Sequence, residues 1–310
     1  MGGSGGSFGT YSNPSESASK IREAEQDSLD KTYEAEVNSD LKDILSNFND
    51  RPVVEINKHL ETLKQAIDSN IEGSVDLLFG GSVNKHTYID GLSDIDSLVI
   101  LNSTELANKS PHEVLKYFAE RLQQRLPNTK ISIGNLAVTV KYSDNIEVQL
   151  LPAIKTVTGH KIAASDGANN WSNVVKPRRF AEKLISVNKE NGNKVVPVVK
   201  LAKSIISTLP NQRKLSGYHT ESLAIEVFKN YTGAQQTKAM LKHFFNEASK
   251  RVMSPIADST GQSRHVDDYL GSRNSTNRRM VADSLSQIGR KMNNADAKRD
   301  SDTWTKLFDL

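Results

Sequence analysis

The 310-residue chain contains no cysteine. That excludes disulfides, thiolate metal sites and cysteine nucleophiles, and it fits a cytoplasmic protein. Long apolar runs are missing as well: no stretch approaches the roughly 18 residues that a membrane span needs. Hydrophobic residues make up 36% of the chain and charged ones 25%, so it is rather polar but can still fill a core of ordinary size. A strong excess of one charge is also absent. The formal net charge of +3 falls short of the basicity of a dedicated nucleic-acid binder. Basic groups such as Lys176, Arg178 and Arg179, or Arg273, Arg278 and Arg279, read first as solvated faces, although one bordering a site could hold triphosphate. Met1–Ser7 (MGGSGGS) has neither a basic nor an apolar leader segment and reads as a linker. Residues 1–15 are expected to be disordered.

What is present centres on one stretch, Leu78–Leu101 (LFGGSVNKHTYIDGLSDIDSLVIL). It opens on an apolar strand-like run, turns at Gly80-Gly81-Ser82, and closes on Asp94-Ile95-Asp96 inside a second apolar run. Residues two apart in a strand face the same way, so Asp94 and Asp96 present paired carboxylates and Ile95 faces opposite. Like charges held together on a buried element repel unless a cation lies between them. Hard carboxylate oxygens suit Mg²⁺ or Mn²⁺, which also take oxygens from a substrate phosphate. A glycine turn lets backbone N–H groups approach an anion closely. Either feature alone is common; together, attached to two strands, they point to metal-dependent nucleotidyl transfer.

A third carboxylate from a neighbouring strand generally completes such a site. The candidate strand is Asn145–Ala153 (NIEVQLLPA), where Glu147 and Gln149 share a face and only Glu147 is charged. Glu147 as a plain exposed strand residue is the equal alternative.

Around this stretch the chain divides by period. A charged helix is expected over Glu16–Asn47, and Ile56, Leu60, Leu63, Ile67 and Ile71 mark one face of a second. Strands are expected at Ser74–Phe79 and Ile95–Asn102. Ser110-Pro111-His112-Glu113 is a capping box with proline at the first helical position, opening a helix to about Leu126. Ile131–Tyr142 reads as a third strand bent near Gly134, and Ile146–Leu151 as a fourth ended by Pro152. Residues 155–175 read as loop. Everything later is helical: Arg178–Asn188, the very apolar Val195–Leu209, Tyr218–Tyr231, Gln235–Val252 and Asn277–Asn294. The expected division is residues 1–15 as linker, 16–175 as an α/β catalytic lobe with the N-terminal helices, and 176–310 as a helical lobe, with a substrate cleft between the lobes. Trp171 and Trp304 are expected in the core, and His86, His219 and His265 show no metal-ligand spacing. Lys200 and Lys203 sit on the apolar helix, where lysines usually snorkel at a rim. Ser216 is placed to cap the helix that follows, and Tyr218 serves equally as a core residue or a base-stacking one.

These residues carry a resemblance. The chain resembles the nucleotidyltransferase superfamily of DNA polymerase beta and, within it, the bacterial enzymes similar to oligoadenylate synthase and cyclic GMP-AMP synthase, the CD-NTases. Gly81-Ser82, Lys85 and Thr87 before Ser93–Asp96, and Leu150–Ala153 all fit. So do Lys200 and Lys203, the helix start Leu215–Glu221, and the closing segment Trp304–Phe308. The likeness spans about residues 55–310. It implies an α+β fold, with a mixed-sheet lobe, a C-terminal helical lobe and the active site between them. It implies catalysis by Asp94, Asp96 and Glu147 as metal ligands with Mg²⁺ (or Mn²⁺), and nucleotide contacts from Gly81, Ser82, Lys200, Lys203, Ser216 and Tyr218. The implied activity is synthesis of a cyclic oligonucleotide, a trinucleotide in the most similar members, from ATP with or without GTP in anti-phage signalling, with a HORMA-type regulatory partner. A template-independent RNA-tailing enzyme and a regulator with a decayed site are the alternatives. Two departures stand out. The family's third aspartate falls three residues before the strand proline, where this chain has Gln149. The zinc module of the animal DNA sensor has no counterpart without cysteine.

Overall fold

A computed structural model describes residues 14–48, 53–68, 74–79, 95–102, 105–144, 146–164, 169–260 and 264–308. Six strands form one mixed sheet: β1 (Ser74–Phe79), β2 (Ile95–Asn102), β3 (Lys130–Ile133), β4 (Val138–Lys141), β5 (Glu147–Lys155) and β6 (His160–Ile162). Their order is β1-β2-β5-β4-β3, with β6 also paired to β5. β2 and β5 run parallel, and every other pairing is antiparallel.

Helices α1 (Pro14–Asn47), α2 (Val53–Asp68) and α3 (Pro111–Arg125) precede or interrupt the sheet. α2 and α3 bury their apolar stripes against one sheet face. Ile56, Leu60, Leu63 and Ile67 from α2 and Val114, Leu115, Phe118 and Leu122 from α3 share a core with Val99, Leu101, Val148 and Leu150. The spacing of three and four that predicted both helices is therefore the spacing of their buried side chains; Ile71 lies outside the described residues. The capping box that starts α3 forms as expected. Ser110 accepts from the Glu113 N–H, and the Glu113 carboxylate accepts from the Ser110 N–H at 2.9 Å. This reciprocal pairing satisfies N–H groups that a helix start leaves open.

Three expectations about the strands need correction. Ile131–Tyr142 is a hairpin of β3 and β4, with Ile133 opposite Val138 and the Gly134 N–H bonded to the Ala137 carbonyl at 2.8 Å. The sequence carries the sign of this: Ile131 and Ile133 fall on odd positions, Val138 and Val140 on even ones. A single strand would keep its parity. Pro152 does not end its strand, because β5 continues to Lys155. The proline falls between Leu150, the last residue paired to β4, and Ala153, the first paired to β6. A residue without an N–H is tolerated at such a gap in the ladder. Residues 155–175 are not all loop, since they include β6 and the bridges His160↔Val175 and Ala163↔Trp171.

The C-terminal half consists of α4 (Pro177–Glu190), α5 (Val195–Ser207), α6 (Gly217–Phe228), α7 (Thr237–Arg251), α8 (Thr276–Lys298) and the short α9 (Ser301–Thr305). α5 is buried nearly all round, as its composition requires. Tyr33, Val37 and Leu41 of α1 join this helical core rather than the sheet core. Val37 and Leu41 are fully buried, each contributing about 1.5–3 kcal/mol by burial. Lys238 of α7 fixes α1 further. It pairs with Glu34 and with Asp296 of α8, and lies 4.4 Å from the centre of the Tyr33 ring. The Trp304 indole N–H donates to the Tyr33 hydroxyl at 2.9 Å. Trp304 is fully buried, as expected. Trp171 is only partly buried at the edge of the sheet core, its indole N–H held by the Lys109 carbonyl.

Candidate active site

The register of β2 against β5 organises the sheet half of the site. Asp96 takes the position opposite Gln149, between the pairs Ile95↔Val148 and Ser97↔Leu150. Val148 and Leu150 belong to the core beneath α2 and α3. Alternation puts Glu147 and Gln149 on the other face, where both are half-buried. That face is apolar at one end, where Ile100 and Ala153 pack with Ile162 and Val175. At the other end the partners across β4 are polar: Thr139 opposite Gln149 and Lys141 opposite Glu147. The side chain level with Asp96 on β5 is therefore a neutral amide, and the charged Glu147 stands one alternation away. β1 ends at the same end of the sheet, with Phe79 opposite Ser97. The connection from Phe79 to Ile95 contains Gly81, Ser82 and Asp94, along with Lys85, His86 and Thr87, and these lie outside the described residues. Among the described residues no three acidic or histidine side chains meet as a metal site.

The helical half is built around the start of α6. Ser216 has the extended backbone of an N-cap, and its Oγ accepts from the His219 N–H at 3.1 Å. This is the capping role that the sequence suggests. Lys200 and Lys203 do not snorkel at a rim: they are 6% and 8% exposed. Lys203 Nζ donates to Glu221 Oε1 at 2.7 Å, and Glu221 is 1% exposed. Tyr218 is half-buried, with its ring 4.5 Å from that of Phe180 in α4. Its hydroxyl donates to Asp258 at 2.8 Å. Burial and this carboxylate raise its pKa well above the ordinary phenol value.

A second buried network braces the same helix start. Arg278 of α8 is fully buried and bonds Asp267 at 2.7 Å and the carbonyls of Val252 and Gly271. His219 is also fully buried, 3.6 Å from Asp267, and shares a hydrogen bond of 2.9 Å with the Tyr269 hydroxyl. That hydroxyl also accepts from the Ser216 N–H at 3.4 Å. Burial pushes the His219 pKa down to about 4, so the imidazole is neutral at pH 7. Burial opposes ionisation of Asp267, but the hydrogen bonds from Arg278 and the Ile256 N–H and the neighbouring positive charge together outweigh it and hold the carboxyl below its usual range. His265 pairs with Asp268 at 2.8 Å near the surface.

Sequence reasoning placed Lys203, Ser216 and Tyr218 near one another but gave no role to Glu221, Asp258, Asp267 or Tyr269, and it read Arg278 as part of a solvated face, whereas the side chain is fully buried on Asp267. The signal for Glu221 was present: it is an ionisable residue just before the apolar run Leu223–Ile225, one turn after Gly217. Asp258, Asp267 and Tyr269 lie in an irregular stretch where no period announces contacts.

Comparison with known proteins gives this geometry a context. Residues 35–188 match the family described as Second Messenger Oligonucleotide or Dinucleotide Synthetase domain, SMODS. No curated protein matches the chain by sequence. Similar solved structures include CdnC of E. coli MS115-1 with ATP, at TM-score 0.63 and 16% identity, covering 86% of this chain and 92% of that one. The same CdnC also matches in its complex with HORMA-deltaN. CdnG of Bradyrhizobium diazoefficiens with GTP matches at TM-score 0.64 and 11% identity, over 90% and 98% of the two chains. The Vibrio cholerae DncV cyclic AMP-GMP synthase, with a linear intermediate, matches at 0.61 and 10%, over 94% and 89%. At such identities these structures establish the fold, and the family match covers the segment that carries β2 and β5. The chain belongs to the CD-NTases: through residues 35–188 it is a SMODS-domain nucleotidyltransferase of the class that makes cyclic oligonucleotides.

Proposed function

We propose that the chain is a divalent-metal-dependent synthase that joins ATP, alone or with GTP, into a cyclic trinucleotide second messenger for anti-phage signalling. The observation that carries this reading is the parallel register of β2 and β5, which pairs Asp96 with Gln149, the position at which the resemblance implies the family's third metal ligand. Relatives solved with ATP and with GTP support the choice of donors. The CdnC complex with HORMA supports a regulatory partner of that type.

The donor set fits Mg²⁺ or Mn²⁺, because every candidate ligand offers hard oxygen: the carboxylates of Asp94, Asp96 and Glu147 and the amide of Gln149. When bound, the metal supplies charge neutralisation on the phosphates and a more acidic acceptor hydroxyl. The chain's own groups do the rest. Gly81 and Ser82 cradle phosphate oxygens with backbone N–H groups and a hydroxyl. Ser216, Lys200 and Lys203 meet the triphosphate at the start of α6, where unpaired N–H groups favour an anion. Tyr218 stacks on the base. A ribose hydroxyl of the acceptor attacks the α-phosphorus of the donor and forms a new P–O bond. The bond to the bridging oxygen breaks, pyrophosphate leaves with that electron pair, and the hydroxyl proton passes to solvent. Repetition, followed by attack on the first nucleotide's own α-phosphorus, closes the ring. With Gln149 level with Asp96, the third negative charge comes from Glu147, one alternation along β5.

The test is direct. The protein is incubated with labelled ATP, GTP, CTP and UTP and Mg²⁺ or Mn²⁺, with and without a HORMA-type partner, then treated with phosphatase, and the products are weighed by mass spectrometry. A phosphatase-resistant cyclic trinucleotide containing adenosine is expected. Extension that occurs only on added RNA would contradict the proposal.

A further inference from the structure

Lys203 and Glu221 are both more than nine-tenths buried and bonded to each other, at the point where the functional reading puts the triphosphate. The fit is close. A Cβ at Gly217, the first residue of α6, would lie 3.3 Å from Lys203 Cε and 3.4 Å from its Nζ. The ammonium therefore rests against the backbone of the helix start, and glycine is what leaves it room. A helix start already carries partial positive charge from its open N–H groups, and a buried ammonium beside it needs a counter-charge. Glu221 supplies one from a single turn further along the same helix.

We propose that Glu221 is a positioning residue that competes with bound polyphosphate for the Lys203 ammonium and so promotes release of pyrophosphate. This rests on the nucleotidyltransferase reading above. An ammonium has three donors, so Lys203 can hold Glu221 and a phosphate oxygen together. The carboxylate and the phosphate then repel across the shared cation. While the nucleotide is intact, its base and sugar contacts hold the phosphates in place against that repulsion. Once the α-phosphorus has been transferred, pyrophosphate keeps only its phosphate contacts, and Glu221, fixed by burial, takes back the lysine.

The sign of this effect separates it from a structural role, because a damaged fold does not bind more tightly. The full chain and the variants Glu221→Gln and Glu221→Asp are titrated with inorganic pyrophosphate in Mg²⁺ by calorimetry. Pyrophosphate inhibition of ATP turnover is measured on the same proteins. Glu221→Gln, which can still accept from Lys203 but carries no charge, is expected to bind pyrophosphate about fivefold or more tightly and to be inhibited at correspondingly lower concentration. Glu221→Asp keeps the charge one methylene further off and is expected to gain about twofold; it carries the test if the glutamine variant does not fold. Equal or weaker pyrophosphate binding in the folded variants overturns the inference. The two readings fail separately. Cyclic product without any gain in affinity sinks the role of Glu221 alone, whereas a gain in affinity without cyclic product sinks only the functional reading.

Discussion

The two halves of the proposed site are made in different ways. In the sheet half, positions are set by strand register: Asp96 is level with Gln149 because Ile95 and Val148, and Ser97 and Leu150, are paired on either side of them. The apolar residues of those strands provide the stability, and the polar face is left half-buried. In the helical half, the candidate residues are themselves part of the buried structure. Lys203, Glu221, His219, Asp267 and Arg278 are at most 8% exposed and hold one another in place. A register can carry reactive groups that contribute little to folding. A buried ionic network cannot, because removing one partner strands the charge of the other. The comparison predicts that substitutions in the sheet half change activity with little change in stability, and that those in the helical half change both.

The largest expected effect tests the sheet half. Asp96→Asn should lower the rate of product formation by about a thousandfold or more, the scale of losing a group that acts on charge in the transition state. Its thermal midpoint should stay near that of the parent, since the core beneath β2 is untouched. A large loss of stability would erase the contrast between the halves. The next effect tests the helical half. Asp267→Asn leaves Arg278 buried without its carboxylate and is expected to cost about 3–5 kcal/mol of stability in chemical denaturation. It should also raise KM for ATP, because Tyr269 and His219 brace the Ser216 cap from the same network. An Asp267→Asn protein as stable as the parent would show that the network is dispensable.

The smallest effect is a pH dependence confined to the helical half. His219 has a folded pKa of about 4, below its ordinary 6.5, so between these values the unfolded chain binds the proton and the folded chain does not. Stability therefore rises with pH across that window and is lost as pH falls from 6.5 towards 4. The lowered pKa of Asp267 acts in the same direction below its unfolded value. Thermal midpoints measured from pH 7 to pH 4.5 should fall, and His219→Gln should flatten the slope in the upper part of that range. An unchanged slope in that variant would assign the acid sensitivity to other groups.

Much of this contrast was legible in the sequence, though unevenly. Asp94-x-Asp96 after a Gly-Gly-Ser turn, the stripes of α2 and α3 and the capping box at Ser110 are short-range signals, and the helices and strands they imply formed. The hairpin of β3 and β4 was hidden because the change of parity between Ile133 and Val138 is a weaker mark than the run of apolar residues around it. Pro152 misled because its tolerance depends on where two other strands stop and start, which no local pattern records. The seating of α1 in the helical core depends on Tyr33 meeting Trp304 and Lys238, far away in the chain. The buried pairs Lys203–Glu221 and Asp267–Arg278 are likewise contacts between elements that sequence reasoning treats one at a time. The alternation of faces along each strand could be anticipated from neighbours along the chain, but the pairing of β2 with β5 and the ionic network could not.

The central claim is that nucleotide and metal meet between the Asp96 end of the sheet and the start of α6. A crystal structure of the protein with Mn²⁺ and a non-hydrolysable ATP analogue, with the metal located by its anomalous scattering, tests this most directly. The account predicts manganese bonded to Asp96 on the face shared by Gln149 and Glu147, with the terminal phosphates against Gly217 and Lys203. Manganese away from β2, or a triphosphate that leaves the Lys203–Glu221 pair out of reach, would contradict it.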